Sequence, residues 1–137
     1  MNRLQYILKA KTQYDIQSPF LFELYSEVLN ARLAKEQRVP LGDAVQGRYA
    51  EIRYMLGDHY AARPVERAGW DVDDLLDSHD VGLIGLVKSP HRDSRSEKCW
   101  ERVSKRDEVT LSVDLFDIGI LFTCSKLSRQ HILLRCQ

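Results

Sequence analysis

Apolar residues in the first third of the chain recur at helical spacing. Leu4, Ile7 and Leu8 share one face of a short opening helix, and Phe20, Leu21, Leu24, Tyr25, Val28 and Leu29 form a broad stripe on a second. Ser18 and Pro19 explain where that second helix starts. Serine is a favoured N-cap, and proline at the first helical position lacks only an N–H that would have had no intrahelical partner. The helix is expected to run to Asn30 with its stripe against a core. The pattern breaks at Val39, Pro40, Leu41, Gly42 and Asp43, after which 44–56 reads as a third helix closed by Gly57 as its C-terminal cap.

Beyond Arg63 the period changes. Residues 64–67 read as a short strand, 71–78 as a short acidic helix and 81–87 as a buried strand. An apolar run without polar alternation suits a central parallel strand covered on both faces, and Gly82 and Gly85 within it mark close packing of a helix. Ser94 or Ser96 is expected to cap a helix through Lys105, with Trp100 and Val103 turned inward. Residues 109–115 and 119–124 follow as strands, with Gly119 at the sharp turn between them, and 132–134 as the last strand. The order of elements implies an α/β fold in one domain: an N-terminal helical segment (1–60) packed on a small, mostly C-terminal mixed sheet (61–137).

Length and charge narrow the function. The 137 residues suit one core, and 20 basic against 20 acidic side chains give no overall attraction to nucleic acid or to an anionic membrane. Neither is expected as a partner, so an electrostatic site must be local. The apolar stretch near Met1 is too short for a signal peptide, and no window approaches ~18 uninterrupted apolar residues, so a cytoplasmic location is expected. Cys99, Cys124 and Cys136 are odd in number and widely spaced, which reads as reduced thiols. His59, His79, His91 and His131 lack ligand spacing, and no metal is expected.

One local constellation carries candidate chemistry. Lys88, Ser89, His91, Arg92, Ser94, Arg95 and Ser96 lie between a predicted strand and a predicted helix, where strand ends and helix amino termini bind anions in open α/β folds. Phosphate or a carboxylate would suit them. The plainer reading is a solvated loop whose arginines pair with Asp71, Asp73, Asp74 and Asp77. Those aspartates themselves read as negative charge on the first turns of a helix, because no glycine-punctuated loop with a closing glutamate makes them a calcium site. Asp114 and Asp117 flank Phe116 at a turn. Turn chemistry accounts for them, with an acid–base pair as the sharper alternative, and no nucleophile completes a triad. Catalytic residues stay unassigned.

Ile7, Leu8, Lys9, Ala10 and Lys11, followed by Gln17, Ser18, Pro19 and Phe20 opening a helix, resemble the amino-terminal signature of bacterial class I S-adenosylmethionine-dependent methyltransferases, whose usual form is close to His-Ser-Pro-Phe. Residues 109–122 and 126–135 are similar to that group's carboxy-terminal strands, and Glu97, Lys98, Cys99 and Trp100 resemble the helix before them. The resemblance spans about half the chain and implies a Rossmann-like sheet. Such an enzyme carries a glycine-rich turn of the form Asp/Glu-x-Gly-x-Gly and an acidic residue after the next strand. Between Leu29 and Val81 there is neither, since Gly42 and Gly57 read as a loop and a helix end. Where the family has a pair of aspartates, this chain has Val87, Lys88, Ser89, Pro90, His91 and Arg92. No cofactor ligand carries over, and the resemblance implies a truncated Rossmann-like methyltransferase remnant: non-catalytic, without cofactor, and homodimeric because the last strand would present unpaired backbone groups. Two alternatives stay open. One is an S-adenosylmethionine-dependent methyltransferase with an atypical or intersubunit cofactor site, and the other is an anion- or nucleotide-binding module using the 88–96 loop.

Overall fold

A computed structural model describes residues 1–77 and 82–136. Five helices, α1 (Arg3–Lys9), α2 (Pro19–Leu24), α3 (Lys35–Leu41), α4 (Arg48–Tyr60) and α5 (Ser94–Ser104), accompany five strands, β1 (Val65–Ala68), β2 (Ile84–Lys88), β3 (Leu111–Asp114), β4 (Ile118–Phe122) and β5 (Gln130–Leu133). The strands form one mixed sheet in the order β1-β2-β4-β3-β5. β1 and β2 are parallel, as are β3 and β5, while β4 runs antiparallel between β2 and β3. The fold is α/β, with its sheet in the carboxy-terminal half.

Both faces of the sheet are covered. On one side Leu21, Leu24, Tyr25, Val28 and Leu29 pack with Ile52 and Leu56 of α4 against Leu86, Val113, Ile118, Ile120 and Phe122. On the other, Cys99, Trp100 and Val103 of α5 pack with Val72, Leu75 and Leu76 against Val87 and Leu121. Alternate residues of β2 and β4 therefore serve opposite cores, which is why their sequences show no polar alternation. Each leucine or isoleucine fully removed from water here contributes about 2 kcal/mol.

The start of α2 is as expected. Ser18 is the N-cap, its hydroxyl accepting from the Leu21 N–H, and Pro19 is the first helical residue. Its continuation differs, because Tyr25–Leu29 form a π turn in which the Asn30 N–H donates to the Tyr25 carbonyl. The wider turn carries Tyr25, Val28 and Leu29 into the core together.

Other expectations are corrected. Val39 and Pro40 lie inside α3 rather than in a break; the proline stands in the last turn, where it forfeits the bond an N–H would have made to the Glu36 carbonyl, and the helix ends one residue later. The following helix begins at Arg48, encloses Gly57, and ends at Tyr60, with Ala61 as its C-cap in the left-handed conformation. Asp71–Asp77 forms turns in place of a helix, closed by Leu75 N–H to Val72 O and Asp77 N–H to Asp74 O, so no helix dipole meets its charges. Instead Asp73 pairs with Arg102 and Asp74 with Arg67. Ser78 and Val81, at the ends of two expected elements, and His79 fall outside the described residues. Gly119 is not the turn: it sits within β4, opposite Val87 and Asp114. The turn residue is Phe116, with φ +74°. Gly85 lies against Leu75 of the turn segment, not against a helix.

Leu4, Ile7 and Leu8 are on one helix, as their spacing requires, but that face is outward. Leu4 is 65% and Leu8 75% exposed, and only Tyr6 of α1 is buried. The Tyr6 hydroxyl donates to the Leu134 carbonyl, and Lys11 bridges Leu134 in parallel, so the segment after α1 extends the sheet beside β5.

Candidate functional site

β2 ends at Lys88 and the chain turns at once. Ser89, at φ +55°, donates its N–H to the Asp117 carbonyl at 2.8 Å and accepts from Arg92 N–H. Asp93, not Ser94 or Ser96, caps α5: its Oδ1 accepts from the Ser96 N–H at 2.8 Å, and that bond holds the Asp93 carboxyl below the ordinary range. The turn lies directly on the one that follows β1. A Cβ built on Gly69 would stand 2.5 Å from the Ser89 carbonyl oxygen, so only glycine fits. Gly69→Ala is expected to destabilise the fold by about 2 kcal/mol in urea denaturation; an unchanged midpoint would show that the two turns separate freely.

His91 is the centre of the site. Its side chain is 4% exposed, with Nδ1 2.7 Å from Glu97 Oε2 and Nε2 2.5 Å from Asp114 Oδ2. The ring stacks on Phe116, with centroids 5.3 Å apart. Asp114 also accepts from the Phe116 N–H, so it is both the turn residue foreseen and the partner of His91. Burial alone would lower the His91 pKa, but the hydrogen bonds and charges of Asp114 and then Glu97 outweigh it and raise the value. Glu97 is resisted by burial in the same way, yet the Met1 ammonium and His91 hold its carboxyl below the ordinary range. α1 closes the site from above. Arg3 lies 4.7 Å over the Phe116 ring and pairs with Asp117, and the Tyr6 ring meets Phe116 at a tilt, with centroids 5.3 Å apart. Burial pushes the Tyr6 hydroxyl up to about 12.

An imidazole with both nitrogens engaged by carboxylates has none left for a substrate. Chemically this is a clasp, binding the loop after β2, the amino-terminal part of α5 and the end of β3 into one unit. The two carboxylates approach opposite ring nitrogens. Among the described residues, no group of three His, Cys, Asp or Glu side chains is placed to hold a metal ion.

The seven residues singled out from the sequence are divided among several environments. His91 turns inward. Ser96 is fully buried, its hydroxyl without a hydrogen-bond partner. Arg92 lies 4.9 Å over Trp70, Ser94 and Arg95 are exposed, and Lys88 points to the other side of β2 near Tyr49. Sequence reasoning missed Glu97 and Asp114 as the partners of His91. The signals were an acidic residue in the first turn of the helix that follows and one at the end of the next strand. The three cysteines are unpaired, and burial pushes the Cys136 thiol up to about 11, which makes it a poor nucleophile.

No family model, curated protein or solved structure matches this chain. Among the described residues no helix is long and apolar enough to cross a membrane.

Proposed function

We propose that this chain is a non-catalytic, methyltransferase-like α/β module that works by pairing with a second copy of itself. The observation that carries the reading is the outward apolar face of α1, with Leu4, Ile7 and Leu8 exposed beside a sheet edge. Past α1 the surface continues, because Lys9, Lys11 and the exposed Tyr14 share a shallow cleft with Gln130, His131 and Leu133 of β5. β5 is paired on its outer side only at the Lys11 bridge among the described residues, so a partner meets apolar side chains and open backbone groups together.

The non-catalytic part rests on the clasp, which engages both ring nitrogens of His91, the one histidine with a buried side chain among the described residues at the strand ends. The likeness to methyltransferases rests on the sequence resemblance of the two ends, at 7–20 and 97–135. Sedimentation equilibrium at micromolar concentration is expected to give the mass of two chains, and Leu8→Asp to give a folded single chain with a nearly unchanged melting temperature. A wild-type protein that sediments as one chain overturns the proposal. Saturable binding of S-adenosylmethionine by calorimetry would replace the non-catalytic half of it.

A further inference from the structure

The register of β5 decides which of its backbone groups are free. The Gln130 and Leu134 N–H groups donate to the Thr110 and Asp114 carbonyls, on the β3 side. By the alternation of a strand, His131 and Leu133 turn their N–H and carbonyl groups outward. The outward Leu133 carbonyl accepts from the Lys11 N–H at 2.6 Å, and the Arg135 N–H donates to the Lys11 carbonyl at 2.8 Å. Three outward groups remain without a backbone partner among the described residues: the N–H and carbonyl of His131 and the N–H of Leu133. A residue with both groups outward is self-complementary. Under a twofold axis it faces its own copy in an antiparallel pair, each N–H donating to the other carbonyl, while the Leu133 N–H reaches the partner's Arg129 carbonyl. Lys11 closes the edge at Leu134, so the opening accepts a short strand such as β5 itself and not a long one. Two such strands alone bury far less than the roughly 800 Å² per partner of a stable interface. Leu4, Ile7, Leu8 and Tyr14, exposed alongside, make up the difference.

From this register we infer that two copies join through β5, antiparallel about a twofold axis at His131, and that protonation of His131 releases them. The pairing rests on the self-association proposed above, to which it adds a register and a control. The axis sets two imidazoles side by side, because residues directly opposite in such a pair have Cα atoms about 5.5 Å apart and side chains on one face. His131 Nδ1 lies 2.7 Å from Ser112 Oγ of β3, and the residue is otherwise exposed. The charges around it are mostly cations: Arg129 before β5, Lys105 after α5, and Lys9 and Lys11 in the cleft. Asp15, the one carboxylate of that cleft, is committed to the Thr12 N–H at 2.9 Å. Burial, and then Arg129 and Lys105, hold the His131 pKa below its ordinary 6.5, so two neutral rings meet at neutral pH. Two imidazolium rings facing each other there repel, with no carboxylate between them.

The test is sedimentation equilibrium of the full chain between about pH 8 and about pH 5, with amide hydrogen exchange at the upper end. A dimer with protected His131 and Leu133 amides is expected at the upper end, its dissociation constant rising about tenfold or more as pH falls from about 7 to about 5.5. His131→Gln, whose side chain still reaches Ser112 and does not titrate, is expected to stay dimeric over the whole range. His131→Pro removes an outward N–H, which an edge strand tolerates, and is expected to give folded single chains. If the proline variant does not fold, exchange of the wild-type His131 amide decides in its place. A wild-type protein of one-chain mass at about pH 8 overturns the self-association itself, and this pairing with it. A dimer whose His131 amide exchanges freely, whose dissociation constant ignores pH, or whose His131→Gln variant dissociates as wild type does overturns this pairing alone.

Discussion

Gly119→Ala is expected to be among the most damaging single substitutions in this protein, lowering stability by about 3 kcal/mol. A Cβ at this position would lie 2.5 Å from two ring atoms of Trp100 and 3.0 Å from a third. Neither side has room to yield. Trp100 is 4% exposed within the α5 core, and β4 is held on both sides, with Gly119 opposite Val87 of β2 and Asp114 of β3. The indole therefore rests on bare backbone, and the strand cannot retreat without breaking two ladders. Urea denaturation measures the loss. Trp100→Leu, destabilising alone, should recover part of it when combined with Gly119→Ala, since the two changes act on one contact. Strict additivity of the two variants would mean that the steric account is wrong.

The second large effect is at the clasp. His91→Ala leaves Asp114 and Glu97 without the cation between them and is expected to cost about 3 kcal/mol near pH 6. The loss should depend on pH. The His91 pKa is raised in the folded state above its ordinary 6.5, so its stabilisation is full below that value and disappears as pH rises through the elevated one. The Glu97 pKa is lowered below its ordinary 4.5, so its stabilisation is full above that value and disappears as pH falls through the depressed one. Together they place the greatest contribution of the clasp between about pH 4.5 and 6.5. His131 acts in the opposite sense, because burial and then Arg129 and Lys105 lower its pKa, and protonating it costs stability as pH falls. For this reason the clasp is read from the difference between wild type and His91→Ala, measured by chemical denaturation from pH 4 to pH 9 as a rough span. A difference that grows with pH would show that His91 is held neutral.

Sequence patterning exposed the fold unevenly. Ser18 and Pro19 act through bonds and sterics within one turn, so that helix start was plain. The apolar runs of β2, β3 and β4 were also visible, with ends shifted by up to three residues because the edges of a ladder depend on partners. Features set by distant chain were not visible. Leu4, Ile7 and Leu8 have the spacing of a buried face, but periodicity does not say which side of a helix the remainder of the chain will cover. Gly119 resembled a turn because glycine signals a missing Cβ, not the reason for it, and here the reason is an indole from α5. In the candidate loop, residue types suggested an anion site, whereas His91 takes its role from Asp114, 23 residues further on.

The bond from Tyr6 to Leu134 joins residues 128 positions apart, and Lys11 meets the same residue. Much of the α2 and α4 core also faces strands near the opposite end of the chain. So high a contact order slows folding, because loop-closure entropy must be met before these contacts reward it. During synthesis the stripe from Leu21 to Leu29 emerges long before β3, β4 and β5 exist to cover it. Until residue 111 and the strands after it have emerged, that stripe has no sheet to pack on, and slow synthesis of this stretch would prolong the interval in which the nascent chain is prone to aggregate.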